Sequence, residues 1–205
     1  MFPGACRPLL AGLIVFGLGL AATQPIGAES LKMQVNGWTN PPVGYVDFCH
    51  AFPAECVTKG SVEPESLSVR RWRDLQDVNS LVNHLVTPAT DLEFYRADEV
   101  WTLPESYGDC EDYVLLKRKW LIERGWSSGA LLVAVVFDEV GDGHAVLLAR
   151  TGDGDFVLDN KTDTIHRWYE TSYRFVKRQS VSNPNRWVSV GDPRWGTPST
   201  AAPRP

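Results

Sequence analysis

The chain has 205 residues, 43% of them hydrophobic and 22% charged, and a formal charge of −5. That composition belongs to a folded protein with enough chain for one domain and an ample core, and it excludes a disordered one. An acidic balance with no basic cluster argues against nucleic acid as a partner.

At the N-terminus, Met1 to Pro8 carries the single cation Arg7, and Leu9 to Ala22 is a short apolar run followed by a polar stretch ending at Gly27-Ala28. The run is too short for an easy membrane span and small residues follow it, which is the pattern of a secretory signal removed after residue 28; a retained anchor is the alternative. The expectation is a periplasmic or secreted domain over residues 29–195 with a flexible tail at 196–205. Export leaves Cys49, Cys56 and Cys110, an odd number in a compartment where disulfides form. Cys49 and Cys56, in FCHAFPAEC, are close enough to bridge across a small loop containing Pro53; a metal site from Cys49, His50 and Cys56 is the competing reading, with no evident fourth ligand. A bridge would leave Cys110 unpaired, a liability in an exported protein unless the thiol is used.

Leu31 to Gly60 is rich in Gly, Pro and aromatics and is expected to wrap the core as a loop. Glu63 to Val86 predicts a helix with Pro64 in its first turn, an apolar face of Leu67, Trp72, Leu75, Val78, Leu81, Val82 and Leu85, and a stop at Pro88. Arg70, Arg71 and Arg73 read as a solvated face of that helix. Trp101 to Gly108 is an extended approach with Pro104 and Gly108 as breakers, and Glu111 to Arg124 predicts a second helix closed by Gly125. Trp101, in the loop shortly before Cys110, is expected to pack beneath the site, with part of a docking surface as the alternative. Cys110, in GDCEDY, falls in the first helical turn, where a free thiol's pKa of about 8.5 can be lowered by the helix dipole.

Downstream, Ala130 to Asp138 reads as a buried strand, Glu139 to Gly143 as a turn, His144 to Arg150 as a second strand, Thr151 to Asp155 as a turn and Phe156 to Asn160 as a third strand. A hairpin about the second turn brings His144 and Asp159 to one edge of the sheet. Tyr173 to Gln179 and Trp187 to Val190 extend an antiparallel sheet. If the helix carrying Cys110 packs on that edge, a Cys110/His144/Asp159 site results: the thiolate attacks a carbonyl, His144 takes and returns the proton, and Asp159 orients the ring. The backbone N–H of Cys110 is a natural oxyanion donor. His166 is the rival base but lacks an acid in so simple a register, and His50 and His84 read as surface or loop residues. Asp109, Glu111 and Asp112 flank the thiol; acids are ordinary at a helix start, but three together oppose a thiolate. A bound cation would offset them, and oxygen-only ligands point to calcium, although no EF-hand-like loop is present.

The runs DEVWTLPE (98–105), GDCEDYVLLKR (108–118), GHAVLLART (143–151) and VLDN (157–160) resemble the bacterial transglutaminase-like cysteine proteinases, whose best understood members are LapG-type periplasmic proteases. The resemblance covers roughly residues 92–160. It implies Cys110 as nucleophile, His144 as base, Asp159 as its partner, and a role for the neighbouring acids in binding calcium. It also implies an α+β papain-like or transglutaminase-like core, in which the helix bearing the nucleophile packs on an antiparallel β-sheet. The activity implied is cleavage of a surface adhesin at a paired-alanine site to release cells from a biofilm, under an inner-membrane cyclic di-GMP receptor that sequesters the protease. Fold and residues of this kind also serve acyl transfer, and a catalytically silent binding module on the same fold is the alternative from another class.

Overall fold

The computed structural model describes residues 32–192 and residue 194; the expected signal segment and tail fall outside them. In chain order the elements are β1 (Val35–Thr39), α1 (Val43–Ala51), a short 3₁₀ turn (Pro53–Glu55), α2 (Val69–Leu85), β2 (Thr87–Pro88), α3 (Asp91–Phe94), β3 (Tyr107–Gly108) and α4 (Cys110–Glu123). There follow β4 (Leu131–Phe137), β5 (Gly143–Thr151), β6 (Gly154–Leu158), β7 (His166–Arg167), β8 (Arg174–Gln179) and β9 (Trp187–Val190). Seven strands form one antiparallel sheet in the order β1-β9-β8-β4-β5-β6-β7, and β2 and β3 form a separate two-stranded parallel pair. The architecture is α+β, as expected.

The central strands read as unbroken apolar runs because both faces are covered. Alternation sends Leu131, Val133, Leu147 and Ala149 into a core with Leu75, Val78 and Val82 of α2 and Leu115 and Leu121 of α4. It sends Leu132, Ala134, Val136, Val146 and Leu148 to a second apolar layer with Met33, Trp168, Tyr173 and Phe175. Helix α4 lies against β5 on one side and α2 on the other. It is tied to the sheet by buried Arg118, whose Nε donates to the Leu131 carbonyl at 3.0 Å and whose Nη1 donates to the Glu55 carbonyl at 3.0 Å. Its end is closed by Gly125, at φ 83°, a left-handed position that glycine takes without a Cβ penalty.

Several expectations are corrected. Residues 31–60 are not simply a wrapping loop: they supply edge strand β1, which pairs with β9, and α1, which buries Tyr45 and Phe48. The long helix begins at Val69 rather than near Pro64, because Ser68 caps it by accepting from the Arg71 N–H at 3.2 Å while Glu65 pairs in extended form with Thr151. Its buried stripe is Leu75, Val78 and Val82, with Leu81 and Leu85 about half exposed. Arg71 is half-buried, not solvated, donating to the Arg124 and Gly125 carbonyls. Cys49 and Cys56 form a disulfide, which removes the competing metal reading and leaves Cys110 as the free thiol among the described residues.

Candidate active site

Gly108 permits the chain to turn into α4: a Cβ there would sit 2.8 Å from the Asp112 side chain. Cys110 is therefore the first residue of α4, with its backbone N–H at the positive end of the helix. From the sheet, β6 stops pairing at Leu147↔Leu158, two residues short of Ala145. The Ala145 N–H, left without a strand partner there, donates to Cys110 Sγ at 3.3 Å. The thiol thus meets the sheet at the opening of β5, beside His144.

His144 Nε2 lies 2.9 Å from Asp159 Oδ1, and both side chains are buried. The second carboxylate oxygen accepts from the Tyr173 hydroxyl, and the Lys161 N–H donates to Oδ1 at 3.1 Å. Burial pushes the Asp159 carboxyl up, but the hydrogen bond and charge of His144, with the Tyr173 and Lys161 donors, hold it below its ordinary value. With Nε2 committed to the carboxylate, Nδ1 is the ring nitrogen free to exchange a proton with a neighbour. A cleft of about 220 Å³ opens onto Cys110, His144 and Ala145, walled by Pro42, Trp101 and Lys177. Trp101 is buried as expected, seated on Gly44 of α1, where a Cβ would lie 2.3 Å from the indole. His166, His50 and His84 are exposed and take no part.

The thiol's other neighbour is acidic. Cys110 Sγ donates to Glu111 Oε2 at 3.2 Å, and burial together with that carboxylate pushes the thiol far up from its ordinary value, against the Ala145 N–H. Burial and the adjoining Asp109 carboxylate push Glu111 up from its ordinary value. Asp91, Asp109 and Glu111 offer carboxylate oxygens that all lie within 4.8 Å of one another. Asp91 was not foreseen from the sequence. It arrives because β2 and β3 pair in parallel, with the Ala89 N–H on the Gly108 carbonyl at 3.1 Å, so that α3 starts beside the start of α4. Asp112, expected among the ligands, lies next to this group: its Oδ1 accepts from the Thr102 N–H at 2.8 Å, its Oδ2 is buried without a partner, and burial pushes it up to about 7. Asp109 Oδ1 is likewise buried without a partner. Buried, under-satisfied, oxygen-only ligands fit a hard divalent cation.

The fold is similar to that of LapG from Legionella pneumophila, at 19% identity and TM-score 0.50 over 74% of this chain and 80% of that one. A calcium-bound structure of the same Legionella protein matches at 18% identity and TM-score 0.50, over 80% of this chain and 86% of that one. A search of curated proteins found no match. Residues 35–195 match the family model described as bacterial transglutaminase-like cysteine proteinase, so the chain belongs to that family of cysteine peptidases.

Proposed function

We propose that the protein is an exported endopeptidase in which Cys110 is the nucleophile, His144 the general acid and base, and Asp159 the group that orients the imidazole. The observation that carries this reading is the 2.9 Å contact of His144 Nε2 with Asp159, beside a Cys110 thiol held at the opening of the same strand by the Ala145 N–H. The Cys110 thiol gives its proton to His144 Nδ1 and its sulfur bonds to the peptide carbonyl carbon. The developing oxyanion lies toward the Cys110 backbone N–H at the start of α4. The imidazolium returns the proton to the leaving amine, and water, deprotonated by His144, then releases the acyl group. Asp159 stabilises the imidazolium without taking its proton.

Asp91, Asp109 and Glu111 would hold calcium, with Asp112 supporting them from behind. The cation would supply positive charge against the carboxylates that oppose the thiolate. Removal of residues 1–28 would place the domain over residues 29–195 in the periplasm or outside the cell. A surface adhesin cut at paired alanines, and an inner-membrane cyclic di-GMP receptor as regulator, are the substrate and partner the family membership suggests.

The expected result is that Cys110→Ala or His144→Ala abolishes proteolysis while the unfolding midpoint stays near that of the wild type. Retained cleavage by the purified alanine variant of Cys110 would sink the mechanism. Comparing the surface proteomes of cells with and without the active enzyme identifies the substrate, and an added amine appearing in the products would mark acyl transfer instead of hydrolysis.

A further inference from the structure

We infer that Tyr173 is a positioning residue for the reaction, acting on His144 through Asp159; the inference rests on the roles proposed above for Cys110, His144 and Asp159. Tyr173 immediately precedes β8, whose Arg174 and Phe175 pair with Phe137 and Val136 of β4, themselves paired with Gly143 and His144. Strand β8, remote in sequence from the β4–β5 hairpin, thus delivers Tyr173 to the end of the sheet where β5 opens at Gly143 and His144. The side chain is only 7% exposed, and its ring meets the imidazole edge-on at a centroid distance of 5.5 Å. Its hydroxyl donates to Asp159 Oδ2 while His144 occupies Oδ1.

A carboxylate held on one oxygen alone can rotate about its last torsion, which is broad and roughly two-fold. Tyr173 removes that freedom. With Oδ2 engaged, Oδ1 stays aimed at Nε2, the imidazole keeps its proton there, and Nδ1 remains free for the thiol. The ring adds a wall that resists tilting of the imidazole. Tyr173 is a neutral donor whose phenol is pushed up by burial and by the carboxylate it serves, so it holds Asp159 without competing for the imidazole proton.

The test uses the alkylation rate of Cys110 by iodoacetamide in calcium-containing buffer, read at that residue by mass spectrometry, because it needs no knowledge of the peptide substrate. His144→Ala should slow alkylation strongly; an unchanged rate would refute the underlying mechanism and not merely this inference. Given that control, Tyr173→Phe, which keeps the ring, should slow it about ten- to hundredfold, as loss of one hydrogen bond to a charged group does. Asp159→Asn should slow it as well, and adding Tyr173→Phe to Asp159→Asn should cost nothing more. A purely structural tyrosine would instead give independent, multiplying losses in the double variant. Should the phenylalanine variant unfold, 3-fluorotyrosine at 173 keeps the shape while altering the donor, and the rate should depart from that of the wild type. Multiplying losses, or a rate within about twofold of wild type in a folded variant, overturns the inference.

Discussion

Lys117 offers a sharp test of how this core was built. It sits in the middle of α4 with no exposure, and its Nζ has no hydrogen-bond partner among protein atoms; the Tyr113 ring lies 5.8 Å away. Burial pulls the ammonium down from 10.5 to about 7, against the opposing pull of Asp159 and Asp163. At about 1.4 kcal/mol per tenfold change in proton affinity, that interval corresponds to roughly 5 kcal/mol of penalty on the charged form. The sign follows from linkage. The unfolded lysine holds its proton up to about pH 10.5 and the folded one only to about 7, so between these values the unfolded state binds more protons and stability rises with pH. The penalty is therefore complete below about pH 7 and gone by about pH 10.5. Lys117→Met keeps most of the stem and deletes the charge. It should stabilise the protein by about 1–4 kcal/mol at pH 6, since apolar replacement of buried ions commonly does so, and the gain should shrink steadily by pH 9. The assay is urea unfolding of both proteins at pH 6, 7.5 and 9 in matched salt. The difference between them isolates Lys117 from the buried acids Glu111 and Asp112, whose carboxyls are also pushed up but are common to both. A constant difference across that range, or a less stable methionine variant at pH 6, would refute the reading of Lys117 as an unpaired buried charge.

Two other outcomes are expected. Calcium should raise the melting temperature of the wild type, and Asp91→Asn should remove most of that rise, whereas Glu99→Gln, outside the carboxylate cluster, should leave it intact; equal calcium shifts in Asp91→Asn and wild type would exclude Asp91 as a ligand. Replacing Cys49 and Cys56 together by serine should cost about 2–3 kcal/mol in urea unfolding, the loop-closure value for a sequence separation of 7.

The thiol, the imidazole and the carboxylate were legible in the sequence because each is fixed by nearby punctuation. Gly108 and the helix-forming run after it put Cys110 at a helix start, and the turn between β5 and β6 brings His144 and Asp159 together at a sequence separation of only 15. What was not legible depends on pairing that leaves no periodic trace. Strands β2 and β3 are two residues each, too short for alternation to register, yet they carry Asp91 to Asp109. Tyr173 reaches Asp159 because β8 inserts beside β4 and not beside β7, its predecessor in sequence, an ordering that composition does not encode. The early start read for α2 failed for a related reason. Pro64 is compatible with a first helical turn, but Glu65 is claimed by an extended bridge to Thr151, and Ser68 supplies the cap.

This division between local and non-local residues has a chemical counterpart. The groups given a direct role in the proposed reaction are those that local sequence places; those that set their charge state, Asp91 beside the acids of α4 and Tyr173 behind Asp159, come from distant segments. On the α4 side the environment opposes an anion at sulfur, through burial and Glu111. On the sheet side Asp159 is held below its ordinary value by its three donors, His144, Tyr173 and the Lys161 N–H. The thiolate is resisted on the α4 side, so the poise of the site turns on what offsets Glu111. If a divalent cation does so, the carboxylate that now accepts the Cys110 S–H hydrogen bond is withdrawn, and the imidazole becomes the base that remains. Calcium would then act on thiol reactivity as well as on stability, and the alkylation rate of Cys110 should rise with calcium in the wild type but not in the Asp91→Asn variant.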